Sequence, residues 1–436
     1  WCLDPRRFTS HTNVEMTSLK AIEDYQNEFR FHFPHEHRPA ARPAKTTPLT
    51  LVMANKNAEF TVINGWERVE YIKPSKDFHP SLSFHFDEAF DVVANEVKNI
   101  QNNVGLTEVN GFNRFEITGS DANSFVDRMF CGNITQKSGR VGLGYLLNEF
   151  GMIKSEATIS NIPASDRGPK RMWYGSAAAS EFHDMDWLVQ HLKDDEDASI
   201  KSLTNDQTIL LLAGPKAREV LSKCSREDWS KESFPWLSVR ECFIGFSPAT
   251  VMSVSFSGEL AYEVHVPNES LYAAYLALTE AGEEFGIKLF GSRAVESMRM
   301  EKGFLGWKSD LITEFDPFET GLDRFVNLKK DNFIGKEALK NRIKQTPNQK
   351  LVCLKVACKH APAYGGASLM EDGKVVGTIT SGEWGHRVNL NLAYAFVNIE
   401  KSKEGTQMHL DLLGELVSVE VIPFGPYDES YSRILA

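Results

Sequence analysis

The chain has 436 residues, of which 42% are hydrophobic and 25% are charged, and its net charge at pH 7 is −11. That length is enough for a large buried core and predicts two or three domains, while the negative charge argues against a general nucleic-acid binder. No apolar stretch approaches the roughly 18 residues of a membrane span, so we expect neither nucleic acid nor a membrane as a partner.

The first segment reads as a tail followed by a connector. It contains "DPRRF", an amphipathic stretch and the run "FPHEHRPAARPAKTTP". The prolines from Pro34 to Pro48 disfavour a helix, because proline lacks the backbone N–H that a helix needs, so we expect a connector lying along a surface. The chain begins at Trp1 inside structured-looking sequence, and we expect it to be part of a longer protein.

From about Thr50 to Leu339, patterns typical of strands and helices alternate, which predicts a mixed body. "GSDANSFVDRMF" predicts a helix capped by Ser120 or Asp121, and "TILLLAGP" predicts a short buried strand before the helix "KAREVLSKC". "TVMSVSFSGELAYEVHV" predicts a hairpin whose two strands are joined by a two-residue turn at Ser257–Gly258.

The stretch "LNEFGMIKSEATIS" predicts a strand with one carboxylate in an informative place. From Ile153 to Ile159, alternate residues are small or apolar, and Glu156 lies on the opposite face. That second face is either ordinary solvent-exposed surface or the wall of a cleft where a charge is useful. The pattern alone favours the surface.

The residue pattern changes in the last part of the chain. "SRAVESMRMEKG" predicts a helix with Ser292 as its N-cap and Gly303 just past its end. From about Lys350, short β-rich runs separated by turn residues predict a small antiparallel barrel or sandwich. Neither a dinucleotide-binding GxGxxG motif nor a P-loop is present in the sequence.

The six cysteines are scattered and include no CxxC pair. This usage favours reduced thiols over a disulfide scaffold, and it does not indicate a zinc site or another metal site. We therefore expect a cytoplasmic protein, or one of the mitochondrial matrix if the source is eukaryotic.

Taken in order, these pieces resemble one family over nearly the whole chain. "DPRRF", "HFPHEHRPAARPAKTTPL" and "NGWERVEYI" are similar to the junction region of dimethylglycine and sarcosine dehydrogenases. The remainder is similar to their folate-binding part, which shares its fold with the aminomethyltransferase of the glycine cleavage system. Seven stretches carry this resemblance: "GSDANSFVDRMFCGNIT", "LLNEFGMIKSEATI", "LLLAGPKAREVL", "FSGELAYEVHVP", "GSRAVESMRMEKGFLGWKSDLITEFDPFETGLDRFV", "FIGKEAL" and "GTITSGEWGHRVNLNLAYAFV".

The resemblance implies an α+β fold with three parts. Residues 1–47 would be the tail of a flavoenzyme's central region, and residues 48–340 an aminomethyltransferase-like cloverleaf around a channel that holds tetrahydrofolate. Residues 348–436 would form a small antiparallel β-barrel. A folate needs carboxylates or carbonyls facing its pterin N–H groups, an aromatic or apolar wall, and positive charge near the mouth.

Three charged residues are implied as the centre of that site. Glu156 matches an aspartate of the glycine-cleavage enzymes that handles protons at the folate, and here the side chain is one methylene longer. Its ordinary pKa of about 4.3 would make it an anion at neutral pH. Glu263 matches a carboxylate that binds the pterin N–H groups. Arg299 matches an arginine near the folate, or else forms only a surface ion pair with Glu296.

Four further residues are implied as cofactor contacts. Phe256, Tyr262 and Phe304 would supply aromatic walls, although Phe256 stands where relatives often have tyrosine and so lacks that hydroxyl. Arg387, in "GHRVNLN", would serve the tail of the ligand or the mouth of the channel. His265, two residues beyond Glu263, is expected at a surface or a sheet edge.

The implied function is the folate-dependent half of a demethylating flavoenzyme. A flavin site elsewhere would oxidise a small N-methyl amine to an iminium, whose carbon tetrahydrofolate captures as 5,10-methylenetetrahydrofolate. FAD would then be bound by a missing N-terminal part or by a partner subunit. Two alternatives stay open, namely a stand-alone aminomethyl- or methyltransferase and a non-catalytic regulatory relative.

Overall fold

The computed structural model describes residues 5–7, 11–178 and 180–436, so Asp4 and Phe8 of the "DPRRF" motif lie outside the described residues. The α-helices are α1 Val14–Gln26, α2 Thr50–Asn55, α3 Ala89–Asn102, α4 Ala122–Met129, α5 Glu181–Gln190, α6 Ala217–Cys224, α7 Leu271–Gly282, α8 Ser292–Lys302 and α9 Lys336–Arg342. Short 3-10 helices lie at Pro5–Arg7, Asn268–Ser270, Glu283–Phe285, Asp323–Phe325 and Ile399–Lys401.

The strands before the barrel are β1 Ala58–Ile63, β2 Trp66–Ile72, β3 Val104–Val109, β4 Asn113–Thr118, β5 Val141–Leu147, β6 Ile153–Ile162, β7 Arg171–Ser176, β8 Ser199–Ser202, β9 Gln207–Ala213, β10 Val239–Ile244, β11 Ser247–Met252, β12 Ala261–Pro267 and β13 Ile287–Leu289. The barrel strands are β14 Gln349–Val356, β15 Ser368–Glu371, β16 Lys374–Gly385, β17 Leu390–Asn398, β18 Gln407–Leu412 and β19 Glu415–Ile422.

Two sheets form the body of the molecule, and a two-stranded β1–β2 hairpin lies beside them. The larger sheet runs β10-β11-β12-β9-β3-β13 and is antiparallel except for the β13–β3 pair, while the smaller sheet runs β5-β6-β7-β4-β8. The mainly antiparallel pairing of strands, with helices packed outside the sheets, confirms the α+β class.

Each sheet has one face covered by helices because its strands alternate apolar residues on that face. On the six-stranded sheet, Leu210 and Val264 share a core with Leu221 of α6 and Leu278 of α7. On the five-stranded sheet, core residues of the strands pack against apolar side chains of α4 and α5.

The other faces of the two sheets meet. Val141 and Trp173 of the five-stranded sheet form one apolar cluster with Val239 and Met252 of the six-stranded sheet. Beyond this cluster, the six-stranded sheet is covered by α3 and α8, which contribute Val97 and other apolar residues to a separate core. The surface between the two sheets is therefore partly sealed by apolar contacts and partly lined by polar residues.

The C-terminal strands close into a barrel in the order β14-β17-β16-β15-β18-β19, which confirms the predicted barrel. Its interior is filled by alternating apolar side chains such as Leu354, Ala395 and Leu410. Its outer wall packs on α8 through Met300 and Tyr394, and the Tyr394 hydroxyl donates to the Met300 carbonyl at 2.7 Å.

Most of the predicted local elements are present, with two corrections. The loop between β11 and β12 covers residues 253–260, so the predicted two-residue turn at Ser257–Gly258 is wrong. The loop is longer because Glu259 enters a buried ion cluster with Arg387 and Arg433, which a tight exposed turn could not supply. Helix α8 begins at Ser292 with Gly291 as its N-cap, one residue earlier than predicted.

Other predicted boundaries agree with the structure. Asp121 is the N-cap of α4, although its carboxylate accepts a hydrogen bond from the Asp197 N–H instead of a helix N–H. Helix α8 ends at Gly303, whose φ of 81° is left-handed and favours glycine. Among the described residues, none of the helices combines the length and apolar character needed to cross a membrane.

Candidate functional site

The site is built on the facing surfaces of β6 and β12. Ser160 of β6 donates to the sulfur of Met252 at 3.2 Å, and Met252 is the direct cross-strand neighbour of Glu263. Glu156 lies on the same face of β6 as Ser160, four residues or roughly 13 Å along the strand. The side chains of Glu156 and Glu263 thus belong to the two faces that look toward each other between the sheets.

Glu156 is half-buried, so it does not lie on the fully solvated face that the pattern alone favoured. Its carboxylate accepts a hydrogen bond of 2.6 Å from the hydroxyl of buried Tyr145, its cross-strand neighbour on β5. Burial raises the pKa of Glu156 to about 7, and the Tyr145 hydrogen bond lowers it by less. The expected pKa of about 4.3 is therefore wrong, and near pH 7 this group can both take and give a proton.

Glu263 and His265 form a second polar group on the same inter-sheet surface. The Glu263 side chain is 33% exposed and lies 3.1 Å from His265 Nε2. His265 is buried, so its expected position at a surface is wrong. Burial and nearby Arg114 lower the pKa of His265 to about 4, so the ring is neutral at pH 7, Nε2–H donates to the carboxylate, and Nδ1 is an acceptor. Nδ1 has no hydrogen-bond partner among the described residues.

Arg114 was not predicted as a site residue, yet it lies in this group. It is on β4, and its guanidinium lies over the ring of Trp173 with 5.6 Å to the centroid. The Trp173 ring is in turn 5.8 Å from the His265 ring. The only signal in the sequence was an arginine within the apolar alternation "NRFEIT", which a surface position explains equally well.

Arg299 is buried, which contradicts the alternative of a surface ion pair, although Glu296 is indeed a partner. Its other donors reach Asp310 at 2.7 Å, the Phe304 carbonyl at 3.2 Å and the Ser381 hydroxyl at 3.0 Å. These contacts link α8 to strand β16 of the barrel. All five N–H groups of the guanidinium are already directed at protein acceptors, and a direct contact with folate stays a prediction.

Arg387 is buried in ion pairs, and its expected role at the ligand tail or the channel mouth stays a prediction. Its side chain is 0% exposed, donates to both Glu301 and Glu259, and also donates to the Met298 carbonyl at 2.8 Å. The barrel thus supplies the cation for two carboxylates of the main body. Arg387 therefore balances the charge of two buried carboxylates where the barrel meets the main body of the protein.

The three predicted aromatic residues divide into two groups. Tyr262 is fully buried in the helix-covered core of the six-stranded sheet, beside Trp229 and Phe234, so it lies on the side of β12 opposite to Glu263. Its expected contact with the cofactor stays a prediction. Phe256 is 41% exposed and stacks on Phe304, with ring centroids 5.9 Å apart, which suits a wall.

Two cavities lie away from this surface. One of about 290 Å³ is lined by α1, the connector and the β1–β2 hairpin, and includes His37 and Arg42. The other, of about 150 Å³, lies beside the last residues of the chain. Neither includes Glu156 or Glu263, so the folate cavity between these residues stays a prediction. Within the described ranges, no group of three or more His, Cys, Asp or Glu residues is placed to hold a metal ion.

Comparison with known protein families matches the chain in three consecutive parts. Residues 49–330 match the GCVT N-terminal domain, and residues 349–428 match the glycine cleavage T-protein C-terminal barrel domain. Residues 1–47 match the FAD dependent oxidoreductase central domain.

Curated relatives extend beyond the span of this chain. Mitochondrial dimethylglycine dehydrogenase of Homo sapiens is 32% identical over 416 residues, covering 95% of this chain and 47% of that protein. Mitochondrial sarcosine dehydrogenase of Mus musculus is 25% identical over 480 residues, covering 99% and 52%. The chain thus spans about half the length of the curated relatives it matches.

One solved structure shares the fold over most of the chain. The glycine cleavage system aminomethyltransferase T from Bartonella henselae superposes with a TM-score of 0.75 at 20% identity, covering 88% of this chain and 98% of that one. This likeness confirms the predicted aminomethyltransferase-like fold.

Proposed function

The chain belongs to the family of the GCVT N-terminal domain, followed by its C-terminal barrel domain, and from that premise we propose that it carries folate-dependent one-carbon transfer. In this proposal it is the tetrahydrofolate-binding part of a dimethylglycine or sarcosine dehydrogenase-like enzyme. The carbon of an iminium derived from a small methylated amine leaves as 5,10-methylenetetrahydrofolate.

The observation that carries the proposal is the state of Glu156. A carboxyl group whose pKa is about 7, held by Tyr145 on a face that looks toward Glu263, has the proton affinity that acid–base work at neutral pH requires. An ordinary surface glutamate would have neither the burial nor the raised pKa.

The polar groups between the sheets also fit a reduced pterin. Glu263 keeps part of its carboxylate exposed and can accept from ring N–H groups, and His265 Nδ1 is a buried acceptor that has no hydrogen-bond partner in the described part of the chain. The stacked pair Phe256 and Phe304 supplies an aromatic wall.

The roles of the residues follow from these contacts. When bound, tetrahydrofolate supplies a secondary amine that bonds to the one-carbon unit. Glu156 would accept the proton released there and, as an anion, stabilise a nearby cation. Tyr145 holds the carboxylate in place by its hydrogen bond, and Glu263 would orient the ring. Arg299 would act through the position of α8, since its donors are engaged.

We also propose that amine oxidation takes place on a flavin-bearing domain or subunit outside residues 1–436. The match of residues 1–47 to an FAD dependent oxidoreductase domain, and the relatives' greater length, support this partner. The compartment proposed is the mitochondrial matrix in a eukaryote and the cytoplasm otherwise, and the word mitochondrial in the relatives' names supports the first.

Calorimetry with tetrahydrofolate under anaerobic conditions tests the proposal. We expect saturable binding to the wild-type chain and weaker binding to Glu263→Gln, with Glu371→Gln on the barrel surface as a matched control that binds normally. The complete enzyme, given a methylated amine and tetrahydrofolate, should form 5,10-methylenetetrahydrofolate in preference to free formaldehyde.

Other results would favour the remaining hypotheses. Absence of folate binding would contradict the proposal and favour a non-catalytic regulatory relative. Transfer from a methylated substrate by this chain alone, without a flavin partner, would favour a stand-alone aminomethyl- or methyltransferase.

A further inference from the structure

Arg114 is a buried cation that makes no direct ion pair with any carboxylate of the described residues. It is 3% exposed, and its Nη1 has no hydrogen-bond partner among the described residues. No carboxylate of the described chain lies within 4.0 Å of its guanidinium. An ionised group removed from water is costly unless it is paired, and here the guanidinium has the face of Trp173 as a neighbour while the charge of Glu263 acts on it without direct contact.

The surroundings of Arg114 show which kind of partner would satisfy it. The charge of Glu263 is close enough to stabilise the guanidinium, and the guanidinium in turn helps to keep His265 neutral. One polar group beside the Trp173 ring therefore contains two acceptors and one donor. The acceptors are the Glu263 carboxylate and His265 Nδ1, and the donor is Arg114 Nη1.

A 2-amino-4-oxo pterin presents the complementary set on one edge. Its amino group and its N3–H are donors, and the adjacent carbonyl oxygen is an acceptor. A carboxylate can accept from the first two groups, while a guanidinium alongside donates to the third. The glutamate tail of a folate is a poorer match for Arg114, because an anionic tail belongs near solvent and this guanidinium is buried.

We propose that Arg114 donates to the pterin carbonyl oxygen while Glu263 accepts from the neighbouring ring N–H groups, so that the pair selects 4-oxo over 4-amino pterins. This inference rests on the proposed function and extends it to a specificity-determining residue. In a 4-amino pterin an amino donor replaces the carbonyl acceptor, and Arg114 would then face a donor. A hydrogen bond from a charged group typically changes affinity by roughly 10- to 100-fold.

The test compares two air-stable probes, 5-formyltetrahydrofolate and its 4-amino analogue, by calorimetry. We expect the wild type to prefer the 4-oxo probe by roughly 10- to 100-fold. Arg114→Gln should lose most of this preference by weakening the 4-oxo probe, and Arg114→Lys, which keeps the charge without the fork of donors, should be intermediate. Arg171→Gln is the control, because Arg171 is 9% exposed on the neighbouring strand but is ion-paired with Glu116 and Glu241.

The outcomes separate this inference from the proposed function. If the wild type binds neither probe, the proposed function fails and the inference fails with it. If the wild type binds the 4-oxo probe and Arg114→Gln keeps both affinity and preference, only the inference is overturned. A tail-less 5-formyltetrahydropterin should show the same loss in Arg114→Gln, and an effect confined to the glutamate-bearing probe would assign Arg114 to the tail and overturn the inference. Should Arg114→Gln fail to fold, the preference of Arg114→Lys for the 4-oxo over the 4-amino probe decides instead, and a preference equal to that of the wild type would overturn the inference.

Discussion

Replacing Arg387 by methionine should destabilise the protein in a pH-dependent manner. Arg387 lies in the barrel after β16 and donates to two almost fully buried carboxylates, Glu259 and Glu301. Methionine keeps much of the apolar length of the side chain but removes the cation and its hydrogen bond to the Met298 carbonyl. Arg433 still pairs with Glu259 in the variant, so Glu301 loses most of its compensation.

The magnitude follows from that geometry. Breaking a buried ion pair by deleting one partner costs about 3–5 kcal/mol, because the remaining charge is left in the interior. Total stabilities of roughly 5–15 kcal/mol make this a large fraction. We therefore expect the free energy of unfolding to fall by about 3–5 kcal/mol near pH 8.

The sign of the pH dependence is fixed by Glu301. Burial raises its pKa even though Arg387 lowers it, and in Arg387→Met the pKa rises further. A carboxyl with a higher pKa in the folded state than in the unfolded state binds more protons when folded, so stability falls as pH rises above about 4.3. The deficit of the variant should thus be largest near pH 8 and smaller near pH 5.

Urea denaturation of wild type and variant at pH 8 and pH 5, with the free energy taken from midpoint and slope, measures both effects. Lys340→Met, which removes an exposed partner of Glu337 on α9, is the control and should leave the midpoint unchanged. A loss below about 1 kcal/mol at pH 8, or a deficit that grows on acidification, would refute a buried and charge-compensating role.

Three further outcomes are expected. Glu156→Gln should keep folate affinity but slow one-carbon transfer about 100-fold or more, and the pH dependence of the wild-type rate near the pKa of about 7 should disappear, as stopped-flow assays would show. Tyr145→Phe removes the hydrogen bond that lowers the pKa of Glu156, so the inflection of the pH–rate profile should move to higher pH; an unchanged inflection would disprove the coupling. Gly291→Ala should cost about 3 kcal/mol in thermal unfolding, because its Cβ would lie 2.1 Å from the Glu70 carbonyl oxygen, whereas Gly142→Ala should be tolerated.

Much of the fold follows from local patterns in the sequence. The strand β6 was predicted because its small and apolar residues recur every second position, and α8 was predicted to end at Gly303 because that position favours a left-handed backbone. The barrel was predicted from short β-rich runs between turn residues. Each of these signals lies within a few residues, which is the range over which backbone geometry acts.

The site was only partly predictable. Glu156 and Glu263 were found through a resemblance, and the structure adds that they occupy the two facing surfaces between the sheets. The burial of Arg387 and Tyr262 was not predictable, because a cation and a tyrosine suit a ligand pocket or a core equally well by residue type. Arg114 was missed, since nothing in its local sequence distinguishes a buried arginine from an exposed one.

The sequence by itself therefore determined the order of the elements and which strand faces carry carboxylates. The tertiary structure alone decided which charges are directly ion-paired inside the protein, as with Arg387, and which make no ion pair within the described residues, as with Arg114. The physical reason is that burial and pairing depend on residues distant in sequence that fold into one place. Free energies of desolvation, and the pKa values that follow from them, are set by that whole environment.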